Sequence, residues 1–179
     1  MRRYLYKMKG GGSCPPGVDC SEMLWSFAGS VIGIALCGYL SAQYFEPLDM
    51  TLIIGSFGAS AVLVYGAIKS PLAQPRNLVG GHMLSALVGV LCWQVFGETL
   101  WLAAAMAVSL AVVLMLATKT LHPPGGATAL IAVLGGAKIH SLGFFYVLVP
   151  AGAGALILLI VALFVNNICP NRRYPEYWF

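Results

Sequence analysis

Residues 142–165 read LGFFYVLVPAGAGALILLIVALFV, a stretch of 24 residues without a charged side chain. A hydrophobic stretch of about 20 residues is long enough to cross a bilayer as a helix. Four more apolar runs of similar length occupy residues 24–45, 50–68, 78–97 and 100–118, and a shorter one occupies residues 124–137. We therefore predict an all-α membrane protein with about six transmembrane helices, of which the fifth is short or discontinuous.

The composition indicates that lipid surrounds most of the protein. Hydrophobic residues make up 59% of the chain and charged residues 9%, whereas an average soluble domain has about 25% charged residues. The formal net charge of +4 does not indicate nucleic-acid binding, because the basic residues lie at the chain ends and between the apolar runs, where they set membrane topology. The expected partner is thus the lipid bilayer, and no nucleic acid is expected.

The cysteine spacing argues against a metal centre. Of five cysteines, only Cys14 and Cys20 are near neighbours, and the two cysteines of a zinc-binding pair usually stand about two to four residues apart. No acidic residue lies inside an apolar run to join a histidine as a ligand. We predict no metal and no other cofactor.

The basic residues predict the topology, because Lys and Arg are retained on the cytoplasmic side. Residues 1–22 lack the apolar core of a cleaved signal, so we expect a cytoplasmic tail that carries Arg2, Arg3, Lys7 and Lys9. Six crossings by the transmembrane domain, residues 23–168, return residues 169–179 to the cytoplasm as a second tail. We expect the inner (plasma) membrane of a bacterium.

A short internal match divides the transmembrane domain into two halves. Residues 58–63, GASAVL, match residues 126–131, GATALI, at an offset of 68. Three helices per half would make the second half enter the membrane upside down, and inverted repeats of this kind are typical of transporters. The match therefore favours two inverted three-helix repeats.

The stretch KTLHPPGGAT, residues 119–128, predicts a helix that begins at Pro123 or Pro124, because proline is tolerated in the first helical turn. The amides that follow are expected to be free, and Gly125 and Gly126 have no side chains to shield them. A helix N-terminus of this kind attracts anions. The matching stretch of the first half, GSFGAS at residues 55–60, is also rich in glycine. The alternative is that these glycines only let helices pack closely.

A second polar stretch, SPLAQPRNLVGGH at residues 70–82, joins the second and third apolar runs. Arg76 offers forked donors to an anion, although it could equally be a topology determinant that extends to the interface. An unperturbed imidazole titrates near neutral pH, so His122 could couple transport to protons, or it could be a structural group at a helix start. The predicted solute-binding residues are Ser56, Ser60, Arg76, Asn77, His82, Lys119, His122, Gly125, Gly126, Thr128 and Lys138.

The sequence resembles a known family in three places. Residues 122–130, HPPGGATAL, are similar to the signature of the HPP family of membrane proteins, and residues 70–82 and 136–152 resemble further stretches of its bacterial members. The resemblance implies a compact helical protein, and plastid and cyanobacterial relatives are associated with nitrite transport. It also implies a bare transport unit, without the cytoplasmic regulatory domain that some bacterial members carry.

We therefore expect a transporter or channel for a small inorganic anion, most of all nitrite, and not an enzyme. The spans lack carboxylates that could replace the water around a cation, and Arg76, Lys119 and Lys138 flank the candidate path. A structural or assembly subunit and an intramembrane enzyme remain as alternatives. An enzyme would need a nucleophile and a base, and Ser60 and His122 would have to meet through tertiary packing. We also expect a homo-oligomer, associated through glycine-rich faces such as residues 152–154.

Overall fold

The computed structural model describes residues 6–8, 12–14 and 16–179, and within these residues the regular structure is entirely helical. Arg2, Arg3 and Lys9, on which the predicted cytoplasmic position of the N-terminus partly rests, lie outside the described residues. The α-helices are α1 (Cys20–Leu40), α2 (Ser56–Ala61), α3 (Pro75–Phe96), α4 (Leu100–Ala117), α5 (Pro123–Leu134), α6 (Gly136–His140) and α7 (Ala153–Ile168).

Four of the described helices are long and apolar enough to cross a membrane. With the π-helical and 3₁₀ turns that extend α1 and α7, they are Cys20–Leu48, Pro75–Phe96, Leu100–Ala117 and Val147–Ile168. Two shorter apolar helices, Ser56–Gly66 and Pro123–Leu134, stand between them. The order along the chain is therefore long, short, long, and again long, short, long.

The second apolar run differs from its prediction as a full-length span. Residues 51–54 form no helix, and the helix begins only at Ser56. The Leu52 N–H donates to the Ser41 hydroxyl at 3.1 Å, so a side chain of the π-helical turn that follows α1 replaces a helical partner. Both the second and the fifth apolar helices are consequently short, whereas the sequence predicted this of the fifth alone.

Helix α3 lies at the centre of the bundle, packed against α4 and α5. Small residues permit the close approach: a Cβ atom built on Gly89 would lie 2.6 Å from the Ala129 carbonyl oxygen of α5. Helix α1 packs against α7, and the glycines on its inner face, Gly29 and Gly33, lie directly against the Tyr65 ring. The core is therefore built on contacts between small residues and aromatic rings.

The glycines at residues 152–154 are used inside the chain. Gly152 is buried, and a Cβ atom on Gly154 would lie 2.0 Å from the Phe57 ring. The proposed oligomer contact through this face is therefore wrong, because α2 already occupies it. Homo-oligomerisation itself stays a prediction.

The two ends of the bundle differ in charge. One end, here called the Arg76 end, holds the start of α3, the end of α4 and the start of α5, and it carries Lys69, Arg76, Lys119, Arg172 and Arg173. The opposite end, called the Lys138 end, holds an exposed ion pair of 3.5 Å between Lys138 and Asp49, together with Glu46 and Glu98.

The C-terminal segment, predicted as a tail, packs onto the Arg76 end. The Tyr174 hydroxyl donates to the Ala73 carbonyl at 2.7 Å, and the Glu176 N–H donates to the Gln74 side-chain oxygen at 2.8 Å. Burial raises the pKa of Tyr174, so its hydroxyl stays protonated and remains a donor. Residues 172–176 therefore cover the turn between α2 and α3.

Candidate functional site

Five buried polar side chains from α3 and from the two short helices meet inside the bundle. They are Ser56 and Ser60 of α2, His82 of α3, and His122 and Thr128 at the start and middle of α5. Each is 0 or 1% exposed. All five belong to the residues that the sequence singled out for solute binding.

These side chains form one continuous hydrogen-bonded chain. The Ser60 oxygen lies 2.7 Å from Nε2 of His82 and 2.9 Å from Nε2 of His122. On its other side, Nδ1 of His82 lies 2.7 Å from the Thr128 hydroxyl, which is 2.8 Å from the Ser56 hydroxyl. We refer to this set of five side chains as the hydroxyl–imidazole chain.

Local backbone structure holds His122 at one end of the chain. Pro123 and Pro124 begin α5, and the residue before a proline is driven into an extended conformation, as found at His122 with φ −139° and ψ 103°. The 3₁₀ turn Pro71–Ala73 brings the Leu72 carbonyl to 2.8 Å from Nδ1 of His122. The imidazole is therefore oriented by a backbone group.

Gly81 makes room for this imidazole, a role that the sequence did not predict. A Cβ atom at Gly81 would lie 2.6 Å from Cβ of His122 and 2.9 Å from the Thr120 carbonyl oxygen. The only sequence signal was the pair Gly80-Gly81 directly before His82. Tyr146 was also missed; its hydroxyl donates to the Thr128 carbonyl at 3.0 Å, which positions the middle of α5.

The backbone amide of Gly125 was predicted to be free at the start of α5, but the structure shows it hydrogen-bonded. The Gly125 N–H donates to the His122 carbonyl at 2.8 Å, and a Cβ atom there would lie 2.7 Å from the Ser85 hydroxyl. Gly125 therefore serves close packing against α3. Gly126 faces more open space, since the nearest atom to its Cβ position is a methyl of Val108 at 3.9 Å.

Three other predicted site residues lie at the Arg76 end. Arg76 donates to the Thr118 carbonyl at 2.7 Å, and the Asn77 amide donates to the Leu121 carbonyl at 2.8 Å. Both bonds fix the α4–α5 connection onto the start of α3. Lys119 is exposed in this connection, with a φ of 58°.

Lys138 lies apart from all the others. It pairs with Asp49 at the opposite end of the bundle, and both side chains are exposed. An exposed pair of this kind contributes at most about 1 kcal/mol. Of the eleven predicted residues, five therefore belong to the hydroxyl–imidazole chain. Five more lie around the start of α5 and the Arg76 end, and Lys138 lies at the opposite end of the bundle.

The hydroxyl–imidazole chain consists of uncharged donors and acceptors. In the part of the chain that the structure describes, every buried side-chain nitrogen and oxygen has a hydrogen-bond partner, and no group of three His, Cys, Asp or Glu residues is arranged to hold a metal ion. Such a set can bind an anion through its O–H and N–H groups, or pass a proton between its oxygens and nitrogens.

Known proteins with similar sequences are also membrane proteins. The transmembrane region of the HPP family matches residues 15–175. Two proteins of Dictyostelium discoideum, both named as transmembrane proteins, are each 46% identical to this chain, over 180 and 184 residues respectively. Each alignment covers 99% of this chain, and it covers 58% of the first relative and 64% of the second. The chain thus spans about three fifths of the length of these relatives. No solved structure matches.

Proposed function

The chain belongs to the HPP family of integral membrane proteins, and we propose that it moves a small inorganic anion, most of all nitrite, across the bilayer. The observation that carries this proposal is the meeting of two short helices around buried donors. Unwound or short helices at corresponding positions of two halves are a mark of transport sites. Polar groups inside a membrane are costly and are usually functional.

The donor set favours an anion over a cation. Ser56, Ser60 and Thr128 supply hydroxyls and His82 and His122 supply ring N–H groups, whereas no Asp or Glu occurs between Asp49 and Glu98 or between Glu98 and Glu176. A cation would lose its hydration without a carboxylate to replace it. In the conformation described, these groups bond to one another, so an anion reaches them when the two short helices separate.

The monovalent charge of nitrite suits such a site. Neutral donors offset only part of the cost of dehydrating an anion, because a charge inside the membrane is penalised by several kcal/mol. Sulfate and phosphate, which carry more charge and hold water more tightly, would be excluded. Nitrate and chloride are the natural competitors.

The charge difference between the two ends supports the proposed topology. Five basic residues lie at the Arg76 end and Lys138 alone lies at the other, among the Lys and Arg of residues 16–179. The positive-inside rule then makes the Arg76 end cytoplasmic, which agrees with six crossings in two inverted halves. In an otherwise cysteine-free protein, a cysteine at Glu98 should react with an impermeant reagent from outside, and one at Lys119 only from inside. Reaction of both from the same side would refute this topology.

The proposed location is the inner membrane of a bacterium, with both termini of the protein in the cytoplasm. The two relatives reported above come from an amoeba, so the family is present outside bacteria. The charge argument applies to any membrane whose proteins follow the positive-inside rule.

The transport proposal is tested with purified full chain in liposomes. We expect nitrite uptake above that of protein-free vesicles, with competition by nitrate and chloride. Thr128→Val removes one donor and keeps the side-chain shape; one hydrogen bond to a charged solute contributes about 1.5–3 kcal/mol, so uptake should fall about tenfold to hundredfold.

The matched control is Thr99→Val. Thr99 is exposed, stands at the Lys138 end and makes no capping side-chain bond to α4, so this variant should transport like the natural protein. Flux of sodium or urea with every tested anion ignored would overturn the anion proposal. Absence of any flux from folded protein would favour a structural or assembly subunit.

An intramembrane hydrolase is the second candidate, and one observation favours it. The Ser60 hydroxyl lies 2.9 Å from Nε2 of His122, whose Nδ1 is oriented by the Leu72 carbonyl; nucleophile, base and orienting group have this arrangement in hydrolases. Against it, Ser60 is fully buried and also contacts a second imidazole, His82. Labelling of the natural protein by a fluorophosphonate probe, lost in Ser60→Ala, would support the hydrolase and count against transport.

A further inference from the structure

The Leu72 carbonyl fixes the direction of the hydroxyl–imidazole chain. A carbonyl oxygen only accepts hydrogen bonds, so Nδ1 of His122 carries a proton toward it. In neutral His122, Nε2 is then an acceptor, and the Ser60 hydroxyl must donate to it. It follows that Ser60 accepts from Nε2–H of His82.

The same reasoning continues to the other end. With its proton on Nε2, neutral His82 has an acceptor at Nδ1, so the Thr128 hydroxyl donates there. The Thr128 hydroxyl also lies 2.8 Å from the Ser56 hydroxyl, to which it donates when its proton is not directed at His82. From Thr128 onward, every donor in the neutral chain therefore points toward His122.

The same heavy-atom positions also accommodate one additional proton. A proton that binds the Thr128 oxygen releases the original Thr128 proton to Nδ1 of His82, the Nε2 proton of His82 to Ser60, and the Ser60 proton to Nε2 of His122. Thr128 keeps the new proton and donates it to Ser56. Each intermediate group gains one proton and loses one. The net change is one N–H bond on His122, which becomes an imidazolium, and all donors on the path reverse direction.

We propose that the hydroxyl–imidazole chain is a proton relay whose terminal acceptor is His122, and that the anion crosses together with one proton. This inference rests on the proposed transport function and specifies how it is driven. A lone anion or a lone imidazolium in the bilayer interior each carries a penalty of several kcal/mol. Together they form a neutral pair, which removes much of that penalty.

The surroundings of the relay leave His122 as its charge-bearing group. The hydrogen-bond partners of the five side chains, within the residues the structure describes, include no Asp, Glu, Lys or Arg. The groups that face the relay are the Phe57 ring of α2, the Tyr146 hydroxyl, which donates to the Thr128 carbonyl, and the Leu72 carbonyl. A permanent charge would bind the anion without a proton, and none is in contact.

The experiment follows protons and nitrite in the same proteoliposomes. Vesicles contain a pH-sensitive dye, and an inward nitrite gradient is applied at equal internal and external pH, with protein-free vesicles as the baseline for passive nitrous acid. We expect nitrite uptake with matching internal acidification. We also expect uptake to be unchanged when valinomycin and potassium set the membrane potential.

Two histidine variants test whether the coupling between nitrite and proton transport depends on the relay. His122→Gln has no site for the additional proton, so acidification should fall to that of protein-free vesicles. His140→Gln is the matched control, because His140 stacks on Trp93 at the Lys138 end and its Nε2–H donates to the Val133 carbonyl, outside the relay. Coupling should persist in this variant.

The outcomes separate this inference from the transport proposal. Nitrite uptake by the natural protein that depends on potential and brings no protons would overturn the relay and leave transport standing. No nitrite uptake at all would overturn the transport proposal. Because the stoichiometry and potential dependence are measured on the natural protein, they decide the question even if His122→Gln does not fold. Full coupling in folded His122→Gln would also overturn the relay.

Discussion

Replacing Arg172 by alanine should destabilise the protein, because this buried side chain joins both ends of the chain. Its guanidinium donates to the Tyr65 carbonyl at 3.2 Å, to the Asn166 side-chain oxygen at 3.1 Å and to the Ser26 hydroxyl at 2.8 Å. It also donates to the backbone carbonyl of Glu22 at 2.7 Å and pairs with the Glu22 carboxylate. Arg172 thus holds the start of α1, the end of α2 and the end of α7 together.

The magnitude follows from what the substitution leaves behind. Removing one partner of a buried ion pair costs about 3–5 kcal/mol. The side chain of Arg172 is 2% exposed, but that of Glu22 is 37% exposed, so water can reach the carboxylate and the lower limit of about 3 kcal/mol applies. For a chain of this length, each kcal/mol lowers the unfolding midpoint by about 2–4 °C, which gives about 6–12 °C.

The assay is thermal unfolding of the purified protein in detergent, followed by a thiol-reactive dye. Cys37, Cys92 and Cys169 are buried, so their reaction reports loss of packing. Arg172→Lys should fall between alanine and arginine, because lysine keeps the charge and loses the forked geometry.

Arg173→Ala is the matched control for this prediction. Arg173 is the next residue and is exposed, so its removal should change stability by no more than about 0.5 kcal/mol. Equal unfolding midpoints for Arg172→Ala and Arg173→Ala would refute the view that the C-terminal segment holds the helices together.

Two further predictions concern packing. Gly154→Leu should abolish a monodisperse peak in size-exclusion chromatography, because a Cβ atom at this position would lie 2.0 Å from the Phe57 ring. Gly126→Leu should elute like the natural protein, because the nearest atom to its Cβ position is 3.9 Å away. Equal elution of both variants would contradict this prediction. Tyr65→Phe removes the 3.1 Å bond to the Leu158 carbonyl and should cost about 1 kcal/mol. The expected fall in the unfolding midpoint is about 2–4 °C, and an unchanged midpoint would show that this bond contributes nothing.

Local sequence rules predicted the start of α5 well and the start of α2 poorly. The pair Pro123-Pro124 restricts the backbone wherever it occurs, so the helix start could be placed without tertiary information. The apolar run at residues 50–68 contains no comparable restriction. Its non-helical first residues, 51–54, include the contact between the Leu52 N–H and the Ser41 hydroxyl, which hydropathy does not reveal.

The members of the candidate site were predicted as separate residues, but their connection was not. Ser60 and His122 are 62 positions apart and meet at 2.9 Å because Gly81 lets the imidazole lie against α3. Sequence patterns report which residue types stand near a helix start, and they contain no distance between helices. For this reason the sequence could name Arg76 and Lys138 as flanking the path, but it could not show that both lie outside the hydrogen-bonded chain.

The short internal sequence match pairs the two hydroxyls that contact His82 in the proposed proton relay. The offset of 68 pairs Ser60 with Thr128, and these two hydroxyls contact opposite ring nitrogens of the same residue, His82. The position 68 residues after His82 is Pro150, which has no side-chain donor or acceptor. Two equivalent hydroxyls thus meet a single imidazole whose two nitrogens differ in protonation when it is neutral. Because the Leu72 carbonyl fixes the tautomer of His122, and Ser60 passes that choice on to His82, the two hydroxyls act in opposite senses on His82: Thr128 donates to Nδ1, and Ser60 accepts from Nε2–H.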